Sequence, residues 1–166
     1  MNLRRAGRAA LTGIAALALA GLAAAFLGAA LGLFSGSRPA DLGFSQGRFV
    51  PGDWRPNWVS STVARDDAKH YVEPLAVGGD AAQAWSRLES VIAGMPRATV
   101  VTRAPGYLHV EFASARMGFV DDAQFALDAA GGVIHVKSAA RLGVRDFSVN
   151  RGRVEEIRAA LPQRTK

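Results

Sequence analysis

Four side chains that can bind a metal ion or transfer a proton lie in the second half of the chain: His109, Glu111, Asp122 and His135. Imidazole and carboxylate groups are common zinc ligands and common acid–base groups. All four occupy alternating positions of predicted strands, so an antiparallel sheet would bring them to one face. This set would suit a small hydrolase or a metal-dependent enzyme. The interpretation that we favour is the solvated polar face of a sheet that is apolar on its other side.

A second candidate site is basic and surrounds the start of the last predicted helix. The positive end of a helix dipole disfavours cations, so arginines at this position need a negative partner. That partner is either internal, through structural ion pairing with Asp121, Asp122 and Asp146, or an external anion held by arginines and free helix amides. The candidate anion ligands are Arg141, Arg145, Asn150, Arg151 and Arg153.

The sequence lacks the motifs of several enzyme classes. It has no GxSxG nucleophile elbow, no GxxxxGK[ST] phosphate loop, no GxGxxG loop after a strand and no HExxH zinc motif. It also contains no cysteine, which excludes disulfides, thiolate nucleophiles, cysteine-ligated zinc and iron–sulfur clusters. We therefore expect no cofactor, and we expect binding rather than catalysis.

The elements that must position both candidate sites follow from the spacing of apolar residues. Asp80 is a predicted N-cap, with Gln83 at the capping-box position, and its helix ends at Gly94. Strands are predicted at 99–103, 107–113, 120–127 and 133–138, with a fifth short strand around 70–75 and a final helix at 151–161. The predicted fold class is α+β, with an antiparallel four- to five-stranded sheet, two helices on one face, and an N-terminal transmembrane helix before them.

An uncharged stretch near the N-terminus, residues 9–34, is long enough to cross a membrane. As a helix its 26 residues would span about 39 Å, against about 30 Å for a hydrocarbon core. Arg4, Arg5 and Arg8 precede it, so the positive-inside rule keeps residues 1–8 in the cytoplasm. The alternative is a cleaved signal, but cleaved signals have apolar cores of only roughly 7 to 15 residues. We expect a retained single-pass anchor in the inner membrane.

The residues after this stretch divide into a linker and a domain. Residues 35–56 are rich in Gly and Pro, which disfavours regular structure, but Phe44, Phe49 and Trp54 make them too apolar for a free tether. We expect a strap packed on the domain, and the alternative is a belt at the membrane surface, where Trp is favoured. Residues 57–166 have the size of one domain, which we expect to face the periplasm or the cell exterior.

The charge of the chain restricts its partners. The formal net charge is +6, and residues 137–166 hold eight basic and three acidic side chains. Export makes nucleic acid an improbable partner, which leaves the membrane, an anionic ligand or an envelope protein. Gly28 and Gly32 have the GxxxG spacing of associating membrane helices, but the oligomeric state stays open. These features predict a membrane-anchored, exported binding or interaction module.

Five short sequence blocks together resemble a known family. They are Asn57–Ser61, Tyr107–Glu111, Gly118–Asp122, Lys137–Arg141 and Val149–Glu155. Their order is similar to the successive motifs of the family named domain of unknown function 1499. The resemblance implies a domain that often accompanies membrane segments, and it implies no established activity or catalytic residue. The chain departs from the family pattern at Trp58, where a cysteine is common, and at Lys137 and Ala140, where an Arg-Ser-Ala-Ser-Arg motif is usual.

Overall fold

Three helices and eight strands make up the described part of this computed structural model, which comprises the backbone of residues 3–161 and the side chains of residues 12–161. The side chains of Arg4, Arg5 and Arg8, and residues 162–166 of the basic C-terminal segment, lie outside it. In chain order the elements are α1 (Leu3–Ala30), β1 (Phe44–Ser45), β2 (Arg48–Phe49), β3 (Trp58–Ser60), β4 (Leu75–Ala76), α2 (Ala81–Gly94), β5 (Ala98–Ala104), β6 (Tyr107–Ala113), β7 (Val120–Asp128), β8 (Val133–Ala140) and α3 (Val149–Ala160).

Six of the strands form one antiparallel sheet. The order is β3-β8-β7-β6-β5, and β4 also pairs with β8, whereas β1 and β2 form a separate two-stranded ribbon. The α+β class and the antiparallel sheet are confirmed, but the predicted size of four to five strands is wrong. The fifth strand expected around 70–75 is reduced to the two residues of β4, at 75–76, and the three-residue strand β3 was not predicted. Such short segments have no detectable alternation, because their extended form is fixed by pairing with β8.

Both of the later helices contribute to the apolar core on one face of the sheet. Asp80 caps α2 by accepting a hydrogen bond from Gln83 N at 2.8 Å, as the capping pattern predicts. Leu88 of α2 and Ile157 of α3 belong to the same buried cluster as Phe125 of the sheet. Full burial of one such side chain stabilises the fold by about 1.5 to 3 kcal/mol, so this face holds the helices against the sheet.

The opposite face of the sheet was expected to be solvated, and that expectation is wrong. Residues 35–56, which we call the strap, cross this face and bury its polar side chains. Gln124 is 2% exposed and accepts a hydrogen bond from Gly43 N at 2.7 Å. Lys137 Nζ donates to the carbonyl oxygen of Val50 at 2.7 Å. The alternating polar residues therefore provide partners for the strap backbone, which has few hydrogen bonds of its own.

Aromatic side chains hold the strap against the sheet. The ring of Phe44 stacks on His135, with ring centroids 5.6 Å apart, and also contacts Phe49 at 4.9 Å. Phe49 is buried, whereas Trp54 is 72% exposed. The strap therefore buries apolar side chains without forming a long strand or a helix, which its glycines and prolines disfavour.

Helix α1 contains residues 9–30 of the apolar stretch, and residues Thr12–Ala30 are long and apolar enough to cross a membrane. This finding rests on length and composition alone, and an N-terminal signal sequence can meet the same two criteria. The helix ends at Ala30, four residues before the predicted boundary. Gly32 adopts a φ of +71° and Leu33 N donates to Gly28 O at 2.9 Å, which is the Schellman pattern that terminates helices at glycine.

Candidate functional site

Three of the four predicted metal ligands lie together beneath the strap. His109, Glu111 and Asp122 offer ligand atoms that all lie within 4.8 Å of one another. Pairing of β6 with β7 places Glu111 directly opposite Asp122, and His109 Nε2 lies 2.7 Å from Asp122 Oδ1. His135 lies apart from them on β8, with its Nε2 atom 3.9 Å from Asp128 Oδ2. The structure thus assembles a histidine and two carboxylates, without the second histidine.

A guanidinium group occupies the centre of this cluster. Arg141 donates to both carboxylate oxygens of Asp122, at 2.7 and 2.8 Å, and also to Glu111. Arg38 from the strap donates to the same oxygen of Glu111 at 2.8 Å. We call these four residues and His109 the Arg141 network. Its two carboxylates already face two guanidinium groups, so a divalent cation at this position would have to displace Arg141.

Burial and hydrogen bonding act in opposite directions on the carboxylates of the Arg141 network. Burial disfavours the ionised form of Asp122, but hydrogen bonds from Arg141 and His109 outweigh it and hold the pKa of Asp122 below its ordinary value. For Glu111 burial is likewise outweighed by Arg141 and Arg38, so its pKa is also lowered. The pKa of Arg141 is raised, chiefly by its hydrogen bonds to Asp122. Both acids therefore stay ionised at neutral pH as hydrogen-bond acceptors.

The start of α3, where the anion site was predicted, is capped by an acid of the chain itself. Asp146 Oδ1 accepts a hydrogen bond from Ser148 N at 3.1 Å. Its Oδ2 atom accepts from Asn150 N and Asn150 Nδ2, both at 2.8 Å. The side chain of Ser148, the residue at the N-cap, makes no capping hydrogen bond. The charge that the helix dipole favours at this end therefore comes from Asp146.

Most of the predicted anion ligands also have partners within the described part of the protein. Arg153 pairs with Asp121 at 2.6 Å, and burial raises the pKa of Asp121 although Arg153 opposes this shift. Arg151 donates to the carbonyl oxygen of Lys69 at 3.2 Å. Asn150 is fully buried and accepts a hydrogen bond from Ser138 Oγ at 2.5 Å. These side chains fasten α3 to the sheet and to the 68–69 turn.

Arg145 differs from the other predicted anion ligands. Its side chain is exposed, and no carboxylate or carbonyl group of residues 12–161 pairs with it. Arg145 lines a groove of about 680 Å³ between the end of α2, the ends of strands β6 to β8 and the loop before α3. We call this cavity the groove. Of the candidate residues, Arg145 and Arg153 line it together with Asp121 and Asp146.

The walls of the groove are mostly apolar. They are formed by Met95, Phe112, Phe119, Leu142, Phe147 and Val149, and the charged residues Arg97 and Glu156 also line it. Phe147 is 90% exposed and adopts a φ of +53°, a left-handed conformation that is uncommon for bulky residues. The groove therefore combines an apolar interior with an unpaired cation, the combination that suits an amphiphilic ligand.

Sequence reasoning missed the apolar residues of the groove. It predicted that the strap packs on the domain, but not that the strap covers the polar face of the sheet. Leu142 and Phe147 of the groove lie with Val144, which does not line it, in one short segment that follows neither strand nor helix periodicity. Three apolar side chains within six loop residues, interspersed with a glycine and two charged residues, were the available signal, because loop residues are usually polar. Arg38 gave no signal, since its partner Glu111 is 73 positions away along the chain.

The comparisons with known proteins address the family of the chain. A family model described as "Protein of unknown function (DUF1499)" matches residues 53–161, which include β3 to β8, α2, α3 and the groove. Neither the curated proteins nor the solved structures give a match. The match covers 109 of 166 residues and confirms the resemblance inferred from the order of the motifs. The chain belongs to the family of proteins of unknown function DUF1499.

Proposed function

We propose that this chain is a membrane-anchored, exported binding module that holds a small amphiphile with an anionic group in its groove. In this proposal α1 is a retained anchor of the inner membrane, and the domain faces the periplasm or the cell exterior. The long uncharged stretch behind Arg4, Arg5 and Arg8 supports this topology.

The observation that carries the binding proposal is the position of Arg145, which is an unpaired guanidinium beside a groove with mostly apolar walls. The volume of about 680 Å³ falls within the range of small-molecule sites, about 300 to 1,000 Å³. A hydrocarbon segment of the ligand would contact Phe112 and Leu142, while its anionic group would accept hydrogen bonds from Arg145.

The charges along the groove favour an anion over a cation. Asp121 is paired with Arg153, and the carboxylate of Asp146 is saturated by amide donors at the start of α3. The side chains that remain are Arg97, whose Nε atom donates to a backbone carbonyl oxygen, Arg145 and Glu156. The formal charges of the three arginines and three acids that line the groove sum to zero. The preference for an anion therefore rests on Arg145, whose guanidinium group has no partner among residues 12–161, whereas Asp121 and Asp146 already accept hydrogen bonds.

Binding is favoured over catalysis because the histidine and carboxylates of the Arg141 network are inaccessible. His109 and Asp122 are each only 2% exposed beneath the strap. Both carboxylates of the network already accept hydrogen bonds from arginines. A substrate would have to displace the strap before it met these groups.

The binding proposal is tested by calorimetric titration of full-length protein in phosphatidylcholine nanodiscs with hexyl phosphate. Empty nanodiscs measure partitioning of the ligand into lipid. We expect saturable binding to the protein, and we expect Arg145→Ala to weaken it by about tenfold, or about 1.4 kcal/mol, because one charge-assisted hydrogen bond is lost.

The matched control is Arg116→Ala, which removes an exposed arginine from the same end of the domain without altering the lining of the groove. Hexanol and inorganic phosphate separate the two parts of the ligand, and each should bind more weakly than hexyl phosphate. Equal weakening by Arg145→Ala and Arg116→Ala would contradict a site at Arg145 and would indicate a general charge effect.

The topology is tested independently by alkaline extraction of membranes and by a C-terminal reporter that is active only after export. We expect the full-length chain to stay in the membrane fraction with an active reporter. A soluble form that begins near Arg38 would contradict the retained anchor and would leave export intact.

A further inference from the structure

The loop before α3 and the turn before β7 expose four large apolar side chains at one end of the domain. Phe119 is 42% exposed, Leu142 41%, Val144 52% and Phe147 90%. Single exposed apolar residues are ordinary on a protein surface. Three of these four also line the same groove, so they form a patch, and such patches mark interaction sites.

The backbone holds the most exposed of these side chains away from the core. Phe147 and Ser148 both adopt left-handed conformations, with φ values of +53° and +65°. This conformation is unfavourable for a residue with a bulky side chain. Asp146 stabilises it by accepting hydrogen bonds from the amides of Ser148 and Asn150. The fold thus presents an aromatic ring outward at a conformational cost.

This patch lies beside the end of the apolar helix α1. The rings of Phe34 and Phe119 are in contact, with centroids 5.7 Å apart. The chain that leaves α1 also packs closely on the loop, since a Cβ atom at Gly36 would lie 2.9 Å from Arg141 Cβ and 3.0 Å from Leu142 Cγ. The patch therefore lies where the chain leaves the stretch that is long enough to cross a membrane.

We propose that Phe119, Leu142, Val144 and Phe147 form a docking surface that inserts into the interface of the lipid bilayer crossed by α1. This inference rests on the retained anchor of the proposed function. Side chains such as Phe and Leu bury at the boundary between lipid headgroups and acyl chains, and Arg145 and Arg116 at the same end can contact lipid phosphates. The opposite end of the sheet lies roughly 30 Å away along β7 and faces the solvent.

The test uses the full-length protein, and the absence of cysteine makes any introduced cysteine the unique labelling site. Val144→Cys and Phe147→Cys are labelled with an environment-sensitive fluorophore and reconstituted into vesicles of phosphatidylcholine and phosphatidylglycerol. The matched control is Ala129→Cys in the exposed turn between β7 and β8. Two quenchers are compared, a lipid with a shallow nitroxide group and aqueous iodide.

We expect the labels at positions 144 and 147 to lose most of their fluorescence to the lipid nitroxide and little to iodide, and the label at 129 to show the reverse. Val144 does not line the groove, so its quenching reports the bilayer rather than a fluorophore held in the groove. Quenching of the position 144 label by iodide to the same extent as position 129 would overturn the docking surface.

Two further outcomes would also overturn it. Protection of the position 144 label from both quenchers would indicate contact with a second copy or another protein. Failure of the protein to float with the vesicles would remove the retained anchor on which the inference rests. The hexyl phosphate titration is measured separately, so saturable binding together with iodide-accessible labels would leave the proposed groove intact and reject only the docking surface.

Discussion

The Arg141 network and the groove lie at different places in the same domain and use the same residue types in opposite ways. In the network, Arg38 and Arg141 face Glu111 and Asp122 beneath the strap. In the groove, Arg145 is exposed and has no partner among residues 12–161. Removing one partner of a buried ion pair destabilises a fold, because the other charge is left buried without a partner, whereas an unpaired charge beside apolar walls is available to a ligand.

The comparison separates residues whose substitution should destabilise the fold from residues whose substitution should weaken ligand binding. Removing one member of a buried, hydrogen-bonded ion pair leaves its partner unpaired in a medium of low dielectric constant. Removing an exposed, unpaired side chain leaves no such group behind. Substitutions in the network should therefore alter the free energy of unfolding, and substitutions in the groove should alter binding.

The largest effect is expected for Asp122→Ala, which leaves Arg141 and His109 without their shared acceptor. We expect the free energy of unfolding to fall by about 3 to 5 kcal/mol, because this change breaks a buried pair. Urea unfolding of the full-length protein in detergent measures it. The control is Asp128→Ala at the exposed hairpin end, which should destabilise by less than about 1 kcal/mol. Equal effects for the two variants would contradict a stabilising role for the Arg141 network.

A smaller effect on the free energy of unfolding, and one whose sign can be predicted, is expected when the pH is lowered. The pKa values of Asp122 and Glu111 are lowered from ordinary values of 3.8 and 4.5. A carboxylate with a lowered pKa in the folded state contributes stability that is fully present above its unfolded pKa and is lost as the pH falls through its folded pKa. Stability should therefore decline below about pH 4. The raised pKa of Asp121 has the opposite sign and partly offsets this decline.

Asp122→Asn separates the contribution of Asp122 to this pH dependence from the contributions of Glu111 and Asp121. We expect the variant to be less stable than the native chain at neutral pH, and we expect the difference to shrink at about pH 3, because that pH lies below the ordinary pKa of an unfolded aspartate, 3.8, so unfolding of the native chain then takes up a proton. Urea unfolding at the two pH values measures both differences. A difference that is independent of pH would contradict ionisation of Asp122 as the source of stability.

A still smaller effect is expected for Arg38→Ala, which removes the ion pair between the strap and Glu111. The Arg38 side chain is 51% exposed, so the pair should contribute no more than about 1 kcal/mol. Arg141 still contacts Glu111 in this variant. We expect faster proteolysis within the strap, measured against Arg48→Ala, which removes an exposed strap arginine. The same proteolysis rate for both variants would show that Arg38 does not hold the strap.

The smallest effect on stability is expected for Arg145→Ala. We expect the free energy of unfolding to change by no more than about 0.5 kcal/mol, while hexyl phosphate binding weakens. Arg153→Ala is the informative contrast, because it removes the partner of buried Asp121 and should destabilise the protein. Strong destabilisation by Arg145→Ala would show that Arg145 stabilises the fold, as the arginines of the Arg141 network do. It would contradict the difference proposed between the network and the groove.

Much of the fold was predictable because it depends on local periodicity. The capping pair Asp80 and Gln83 predicts α2, and alternating apolar residues predict strands β5 to β8 with small errors at their ends. The apolar composition of residues 9–34 likewise predicts α1. In each case the signal is contained in the segment itself, since side-chain direction repeats with the period of the helix or strand.

The candidate sites were less predictable because they depend on contacts between distant segments. The sequence alone determines that His109, Glu111 and Asp122 share one face of a sheet, since strand alternation dictates it. Only the tertiary structure decides that this face is covered, because the strap that carries Arg38 and Gly43 comes from another part of the chain.

For the arginines near α3, too, the sequence determines one part of the site and the tertiary structure decides the other. Their types and spacing in the sequence indicate that negative partners are required at a helix start, because the helix dipole disfavours unpaired cations there. Which arginines obtain such partners is decided by the packing of α3 against the sheet, which brings Asp121 to Arg153 and leaves Arg145 beside the groove. Pairing of this kind depends on distances in space, and sequence periodicity carries no information about them.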